Sequence, residues 1–441
     1  MRLGHWAVGS ATAIAVACVS ARASASPEDL FGYGAESPAM AGTGTATSSD
    51  FEAAYTNPAL LSRIRRPRLA LGVLGANFDE VAVGDGLPGR IEDRSARGLD
   101  IGADLPIPFG GVLKDRVSGA LAFYTPSEVI VRGRILYPET PQFPLLSDRA
   151  QCVAIRMGVG VDIGHGVRIG GGFAALAEIV GTVVVATDAA GKVGTQIDDQ
   201  LIATYAPTLG ASYEHALRLF GEDGTVRVGG VFRGALAARF SVTIDATKLS
   251  SIAIPVFDIA GLAQYDPLQA GLEVAWENSK WKLAIGATWK HWSDYPGPLE
   301  PTLPDLDVPK PDYSDTVVPR VGVERSFPLS RSAKLHVRGG YFFEPTPVGA
   351  HLPSSQAYDI PSQTLVTVPT RYFDADRHVF TAGLGVSLEK PLRLDVDAFA
   401  QAHVLAPRTM TLDAGEPDGS TSTANVSGSI VVTGIQIGVG F

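Results

Sequence analysis

"SGSIVVTGIQIGVGF", residues 427–441, sorts its side chains by parity. Val431, Thr433, Ile435, Ile437, Val439 and Phe441 fall on one face, and Val432, Gly434, Gln436, Gly438 and Gly440 on the other. A period of two is the signature of an extended strand, here greasy on one side and small or polar on the other. The same pattern recurs upstream. In "PLRLDVDAFAQAHVL" (391–405) Leu392, Leu394, Val396, Ala398 and Ala400 oppose Arg393, Asp395, Asp397, Phe399 and Gln401. In "AKLHVRGGYFF" (333–343) Leu335, Val337 and Tyr341 oppose Lys334, His336 and Arg338. In "KWKLAIGATWK" (280–290) Trp281, Leu283, Ile285, Ala287 and Trp289 oppose Lys282 and Lys290.

A soluble sandwich would alternate too, so two further features decide the class. The polar sides carry charges in strand after strand, among them Arg156, Asp162, Arg168, Arg227, Arg320 and Glu324, while the apolar sides often begin or end in aromatics. Lipid outside, a wet lumen inside and rings at the interface explain that distribution. The connections also alternate. Tight turns are expected at Lys114-Asp115, His165-Gly166, Asn278-Ser279, Leu329-Ser330 and Lys390-Pro391, with a longer one at Leu219 to Gly224. Long, proline-rich loops are expected at Glu80 to Arg97, Gly133 to Ala150, Ala246 to Tyr265, Asp294 to Asp315, Glu344 to Asp376 and Pro407 to Asn425, with the short Ala189 to Ile197 as the exception. Short turns on one rim and long loops on the other describe an outer-membrane barrel. About fourteen strands are counted, beginning near Pro67, Gly98, Arg116, Gln151, Val167, Asp198, Thr225, Asp266, Lys280, Thr316, Ala333, Arg377, Leu392 and Val426. The fold class is therefore all-β, a transmembrane antiparallel β-barrel. The terminal Phe441, closing an alternating strand, resembles the signal read by the barrel-assembly machinery.

Composition agrees. The 441 residues include 49 Gly and only 4 Met, and 19% are charged, yet mean hydropathy is slightly positive. Past the amino terminus no apolar run approaches the roughly 20 residues of a membrane helix. Hydrophobicity is thus spread in short pieces. A formal charge of −10 and the absence of a basic block argue against nucleic acid as a partner. Residues 1–25 read as a secretory signal: Arg2, an apolar stretch from Ala7 to Val19, and Ala23-Ser24-Ala25 for cleavage. Ala15-Val16-Ala17 before Cys18 leaves lipidation open. If Cys18 departs with the signal, Cys152 is the only mature cysteine, so neither an intramolecular disulfide nor a cysteine zinc site is expected.

"LFGYGAESPAMAGTGTATSSDFEAAYTNPALLSRIRRPRLALG" (30–72) lies just before and into the first strand. Its Gly32-Tyr33-Gly34, Ala39-Met40-Ala41-Gly42, Asp50 and Asn57-Pro58-Ala59 resemble the amino-terminal hatch of the FadL-type outer-membrane transporters of long-chain fatty acids and aromatic hydrocarbons. The likeness continues through "WKHWSDYPGP" (289–298), "VPRVGVERSF" (318–327), "LHVRGGYFFEPTPV" (335–348) and "DADRHVFTAGLGVSLEKPLRLDVDAFAQAHVL" (374–405). Between residues 138 and 279 it is mainly one of pattern. The resemblance implies a fourteen-strand barrel (65–441) plugged by a hatch of short helical turns (26–64), with Gly32, Tyr33, Gly34, Asn57, Pro58 and Ala59 as hatch or gating residues. A bore of that size would otherwise hold a water-filled passage. For Asn57-Pro58-Ala59 a purely geometric turn is the competing reading.

The resemblance further implies that a greasy molecule is captured outside, passes to an inner pocket and leaves sideways at an inward kink of the third strand. In "RVSGALAFYTPSEVIVRG" (116–133) Pro126 removes a ladder donor, which places the lateral opening at Tyr124, Thr125, Pro126 and Ser127; a proline where the strand frays above the membrane is the alternative. Lumen cations for a carboxylate are Arg156, Arg168, Lys282, Lys290, Arg320 and Arg338, most of them expected to pair with Asp162, Glu324, Asp395 or Asp397. The family's own anchoring residues do not carry over, because no local motif aligns them.

Signals of catalysis and cofactors are nearly absent. The glycines of "GHGVRIGGGF" (164–173) precede alternating Val167, Arg168 and Ile169 rather than a helix, so no phosphate cradle is expected. No nucleophile elbow and no His-Glu-x-x-His are present, and His336 and His403 read as lumen-facing polar residues. Spacing is silent on a serine, a histidine and an acid drawn from separate strands. The expectation is a non-enzyme without cofactor or metal, monomeric, in contact with outer-membrane lipid and lipopolysaccharide, carrying fatty acids or hydrocarbons. A binding or adaptor barrel for secretion and a general porin are the alternatives.

Overall fold

The alternating segments pair in chain order, each antiparallel to the next, and the last returns to the first. The computed structural model describes residues 27–441 apart from 92–94, 128–136, 147–152, 188–192, 220, 249–256, 298–310, 360–363, 391 and 416–417. The expected signal segment, Cys18 and Cys152 fall outside the described residues. Fourteen staves close the ring. They are β1 (Arg68–Gly84), β2 (Ala96–Pro106), β3 (Val117–Pro126), β4 (Ala154–Gly164), β5 (Val167–Thr187), β6 (Val193–Leu219), β7 (Glu222–Arg233), β8 (Gln269–Glu277), β9 (Trp281–Lys290), β10 (Thr316–Pro328), β11 (Ala333–Glu344), β12 (Arg377–Leu388), β13 (Arg393–Asp413) and β14 (Thr421–Gly440). The seam is β1 on β14, in continuous register from Arg68↔Gly440 to Gly84↔Ala424. The Phe441 N–H donates to Pro67 O at 3.0 Å, finishing the ladder at the short-turn rim.

Period two fixes which side chain meets which medium. Val274, Ile285 and Val321 stand in one cross-strand row over β8, β9 and β10, and all three are exposed, Ile285 at 66%. The intervening Lys282 and Lys290 are buried in the bore. Exposed Leu71 and Val73 on β1 and Ile435 and Ile437 on β14 continue the same belt across the seam. An apolar exterior with the charges inside is a soluble protein turned inside out, and lipid is the medium that stabilises it.

Several expected boundaries shift, each for a local reason. The β2–β3 connection spans residues 107–116 with a 3-10 turn at Gly111–Leu113, not a two-residue turn at Lys114-Asp115; Pro106, Pro108 and Gly110-Gly111 interrupt the ladder earlier. β5 and β6, of 21 and 27 residues, run well past the roughly 9–11 residues that cross a bilayer. β6 begins at Val193 and β14 at Thr421, before the expected Asp198 and Val426, and β13 runs on to Asp413 after a register shift between Leu405 and Arg408 that takes up Pro407. The expected Ala246–Tyr265 loop is largely a ribbon, Leu236–Lys248 against Phe257–Asp266. Asp266, expected to open the eighth strand, ends this ribbon, and β8 starts at Gln269.

The ribbon completes the wall. β6 occupies one edge of β5 along its whole length, while β4 covers the other edge only up to Leu176. From Ile179 onward the ribbon pairs there in parallel, Ile179↔Phe240. Its alternating Ala238 and Phe240 are buried.

If the belt faces lipid, Ile285→Arg lowers the unfolding free energy in phospholipid vesicles by about 2–4 kcal/mol, the range for a cation at the bilayer midplane. Urea titration of the refolded barrel reads this, and a loss below about 0.5 kcal/mol would place that face in water.

Candidate functional site: the bore and its hatch

Residues 27–64 lie inside the ring as helices Pro27–Phe31, Glu36–Ala39 and Ala53–Thr56 and a 3-10 turn, Pro58–Arg63. Such short pieces are not stable alone; the wall holds them. The contact is backbone to backbone because the wall lacks side chains at this level. A Cβ on Gly160 of β4 would stand 2.6 Å from Pro58 O and Ser62 N, and one on Gly322 of β10 would stand 2.6 Å from Met40 O. Gly340 of β11 and Gly383 of β12 meet the Cβ atoms of Ala41 and Ala39, which a Cβ of their own would approach to 2.7 and 2.5 Å. Gly102, Gly170, Gly210 and Gly229 leave the same kind of room for Phe51, Pro58-Ala59, Asn57 and Thr45. Gly170 belongs to the glycine run whose role the sequence left open.

Polar groups of hatch and wall satisfy one another. Glu273 of β8 accepts the N–H groups of Gly44, Thr45 and Ala46 at 2.9–3.2 Å. Within the hatch, Glu52 accepts those of Ala35, Glu36 and Ser37 at 2.8–2.9 Å. From the wall, Gln401 donates to Phe31 O and Pro38 O, Thr381 to Ala39 O, and Ser118 to Ile64 O. Each buried acceptor left without such a partner would cost about 1–3 kcal/mol.

The expected hatch residues take up these duties. Gly32 and Gly34 have φ of +85° and +78°, a region favoured by glycine. Between them, buried Tyr33 donates to Ile101 O at 3.3 Å and sets its ring edge against Phe51. Asn57 caps the Pro58–Arg63 turn by accepting from Ala59 N, and donates to Thr45 O and to Ala211 O of β6. Pro58 and Ala59 sit against Gly160 and Gly170.

The six cations meet in the bore but serve the hatch and the wall. Lys282 pairs with Glu36 at 2.5 Å. Arg338 bridges Glu324 at 2.7 Å, Asp397 at 2.5 Å and Glu36 at 3.6 Å. Lys290 holds Asp29 at 2.9 Å and Glu344 at 2.7 Å, and Arg156 holds Glu28 at 3.6 Å and Asp266 at 3.5 Å. Arg168 pairs with Glu214 at 2.7 Å and Asp162 at 3.5 Å. Arg320 donates to Gly42 O at 2.8 Å. Of the expected barrel partners, Glu324 and Asp397 hold Arg338 and Asp162 holds Arg168; the sequence does not show that Glu28, Asp29 and Glu36 of the hatch are further counter-ions. Asp395 pairs instead with Arg68 and Arg393 at 3.5 Å.

Above the hatch, toward the long loops, the buried residues are mostly apolar. Ala82 of β1, Leu405, Met410 and Leu412 of β13, and Val426 and Ile430 of β14 are all buried, with Glu80 and His403 among them. The same buried cluster holds stacked rings: Tyr265 on Trp292 at 5.2 Å and Tyr295 on Tyr313 at 4.8 Å. Burial pushes the Tyr313 phenol well up, with Tyr295 and Asp374 adding to it, and burial likewise raises the Asp374 carboxyl against the pull of Arg377. The loop cap is closely packed. Below the hatch, at the short-turn rim, a polar cavity of about 520 Å³ is lined by charges that include Asp50, Arg63, Arg68 and Lys282.

At the expected lateral opening, β3 pairs with β2 up to Gly98↔Pro126, and Ser127 N–H still reaches Arg97 O. On its other edge the last pair with β4 among the described residues is Tyr124↔Ala154, while Thr125 and Pro126 pair with β2. Neither ladder of β3 carries a register shift. Tyr124 is buried, its ring filling the space over Gly98.

No family model matches the sequence, and no curated protein does. Among solved structures, a Pseudomonas aeruginosa FadL homologue aligns at TM-score 0.58 and 14% identity, over 92% of this chain and 98% of its own. The P. putida toluene transporter TodX gives 0.52 and 14%, over 94% and 99%. The monoaromatic hydrocarbon channel CymD gives 0.51 and 13%, over 94% and 98%. The chain has the fold of the FadL-type barrels. At these identities the likeness is one of architecture, and the FadL-type frame leaves the lining of this bore to be read from its own residues.

Gly160→Val tests the close fit. The added carbons collide with the Pro58–Arg63 turn, and overpacking of this kind costs about 1–3 kcal/mol. The variant should show stepwise ion conductance in planar bilayers where the parent and Gly75→Val, whose Cβ meets nothing within 4 Å, stay closed. A silent Gly160→Val with the parent's thermal stability would contradict the fit.

Proposed function

We propose that the protein carries hydrophobic small molecules passively through a Gram-negative outer membrane, with its short turns in the periplasm and its long loops outside. The observation that carries this reading is the order of layers in the bore: packed and mostly apolar above, closed by a wall-bonded hatch, ionic below. A greasy solute entering from the loops has no favourable path straight down, since it would pass from the apolar lining into a polar, charged cavity. A sideways exit into lipid follows the gradient instead. Thr125 and Pro126, beyond the last described β3–β4 pair and with no ladder donor at Pro126, are the place for it, with Tyr124 and Ser127 at its border. Hydrophobic cargo is in keeping with the structures of like fold, described as a FadL homologue, a toluene transporter and a monoaromatic hydrocarbon channel. An uncharged cargo suits this bore better than a fatty acid, because five of the six cations are held by protein carboxylates and Arg320 by a hatch carbonyl. A porin reading would require the hatch to leave.

Cells carrying the gene should take up radiolabelled toluene at low external concentration several-fold faster than cells lacking it, with a smaller gain for a long-chain fatty acid. Pro126→Val, which restores a ladder donor, should reduce the toluene rate at least threefold while the surface level of the barrel is unchanged. Equal uptake with and without the gene would leave the adaptor reading in its place, and an undiminished Pro126→Val rate would move the exit elsewhere.

A further inference from the structure

At the short-turn end of the bore, three neighbouring staves bring together a serine, a histidine and a glutamate that the hatch does not use. Ser387 Oγ of β12 stands 3.2 Å from His336 Nε2 of β11. The other ring nitrogen, Nδ1, stands 3.2 Å from Glu324 Oε1 of β10 and 2.9 Å from Ser326 Oγ, itself 3.2 Å from the same carboxylate oxygen. Glu324 Oε2 accepts Arg338 Nε at 2.7 Å. A carboxylate held by a guanidinium only accepts, so the imidazole proton belongs on Nδ1 and the lone pair of Nε2 is left for the Ser387 hydroxyl.

Register builds this set. Ser326 lies opposite His336, and His336 opposite Gly385, with Ser387 two residues along on the same face. Lys334 lies directly opposite Ser387, within the reach of cross-strand neighbours. Ser387, His336, Glu324, Lys334 and Arg393 all line the 520 Å³ cavity.

We propose that this is a hydrolytic site for small, water-soluble carboxylic esters that carry a negative charge, entered from the short-turn rim. Ser387 is the nucleophile, His336 the general base and Glu324 a positioning residue that fixes the tautomer and steadies the imidazolium. Ser387 Oγ adds to the ester carbonyl carbon while its proton passes to His336 Nε2. The carbonyl π pair moves onto oxygen, where the Lys334 ammonium meets the charge. Collapse breaks the carbon–alkoxy bond, and the leaving alcohol takes the proton from Nε2. Water then attacks the acyl-serine with His336 again accepting a proton and returning it to Ser387 Oγ, so the products are one acid and one alcohol. Lys334 favours a substrate with its own carboxylate.

The test uses the full-length barrel folded in detergent, a fluorophosphonate probe and 4-nitrophenyl hemisuccinate as substrate. The probe should modify Ser387, located by peptide mass spectrometry, and hydrolysis of the hemisuccinate should show a pH-dependent limb. Ser387→Ala should abolish labelling and lower the rate about 10³-fold, and His336→Gln about 10²–10⁴-fold. Glu324→Gln should displace the pH limb, with Glu324→Asp restoring it, a change that loss of packing alone would not give. Heat-modifiable gel mobility shows that each variant is a closed barrel; for any that is not, labelling of Ser387 in the unaltered protein decides. No modification of Ser387 in the unaltered protein, or hydrolysis unchanged in Ser387→Ala, would overturn the proposal.

Discussion

Fourteen staves make a ring too wide for its own side chains to fill, and the rest of the structure answers that constraint. The filling is the chain's leading segment, admitted because the wall presents glycine where the two backbones must approach. Gly160, Gly170 and Gly210 on one side and Gly322, Gly340 and Gly383 on the other receive the hatch without a side chain between. Once it is seated, its buried carbonyls and N–H groups need partners, and Glu273, Gln401, Thr381 and Ser118 supply them from the wall. Charge follows the same logic: the acids of the hatch neutralise cations that would otherwise be isolated in the bore.

The layering has a functional consequence. An apolar upper lining and an ionic lower cavity separated by a fixed hatch divide the bore into two sites with opposite chemistry. The upper suits a molecule that belongs in lipid. The lower, where Ser387, His336 and Glu324 converge, suits a soluble one and lies on the other side of the hatch from the proposed route. Success or failure of the transport reading therefore leaves the chemistry of the lower site to its own test.

Much of the fold was legible because parity is a local property. Val431 to Phe441, Leu392 to Ala400 and Trp281 to Trp289 reveal their lipid face from sequence alone, and the structure keeps every one of those faces. Strand ends such as Val167, Thr316, Ala333 and Arg377 were placed to the residue, since tight turns or proline-rich loops flank them. What sequence could not show depends on pairing across the ring. The ribbon Leu236–Lys248 has strand composition yet is no stave, because it joins an edge of β5 that only β4's early end leaves free. The hatch counter-ions and the Ser387–His336–Glu324 set likewise come from segments far apart in the chain, 246 residues for Lys282 and Glu36 and 51 for Ser387 and His336. The glycines were visible in sequence, but their meaning, contact with the hatch, needed the ring to be closed.

The central claim is that the hatch stays seated while cargo passes. Ala46 of the hatch packs against Ala275 of β8 and Ala284 of β9, so Ala46→Cys with Ala275→Cys, in a background where Cys152 is serine, pins hatch to wall by a disulfide. Toluene uptake by cells carrying this protein, measured oxidised and again after reduction, is the direct measurement. The account predicts equal rates in the two states; uptake that vanishes on oxidation and returns on reduction would show that the hatch must move and would contradict it.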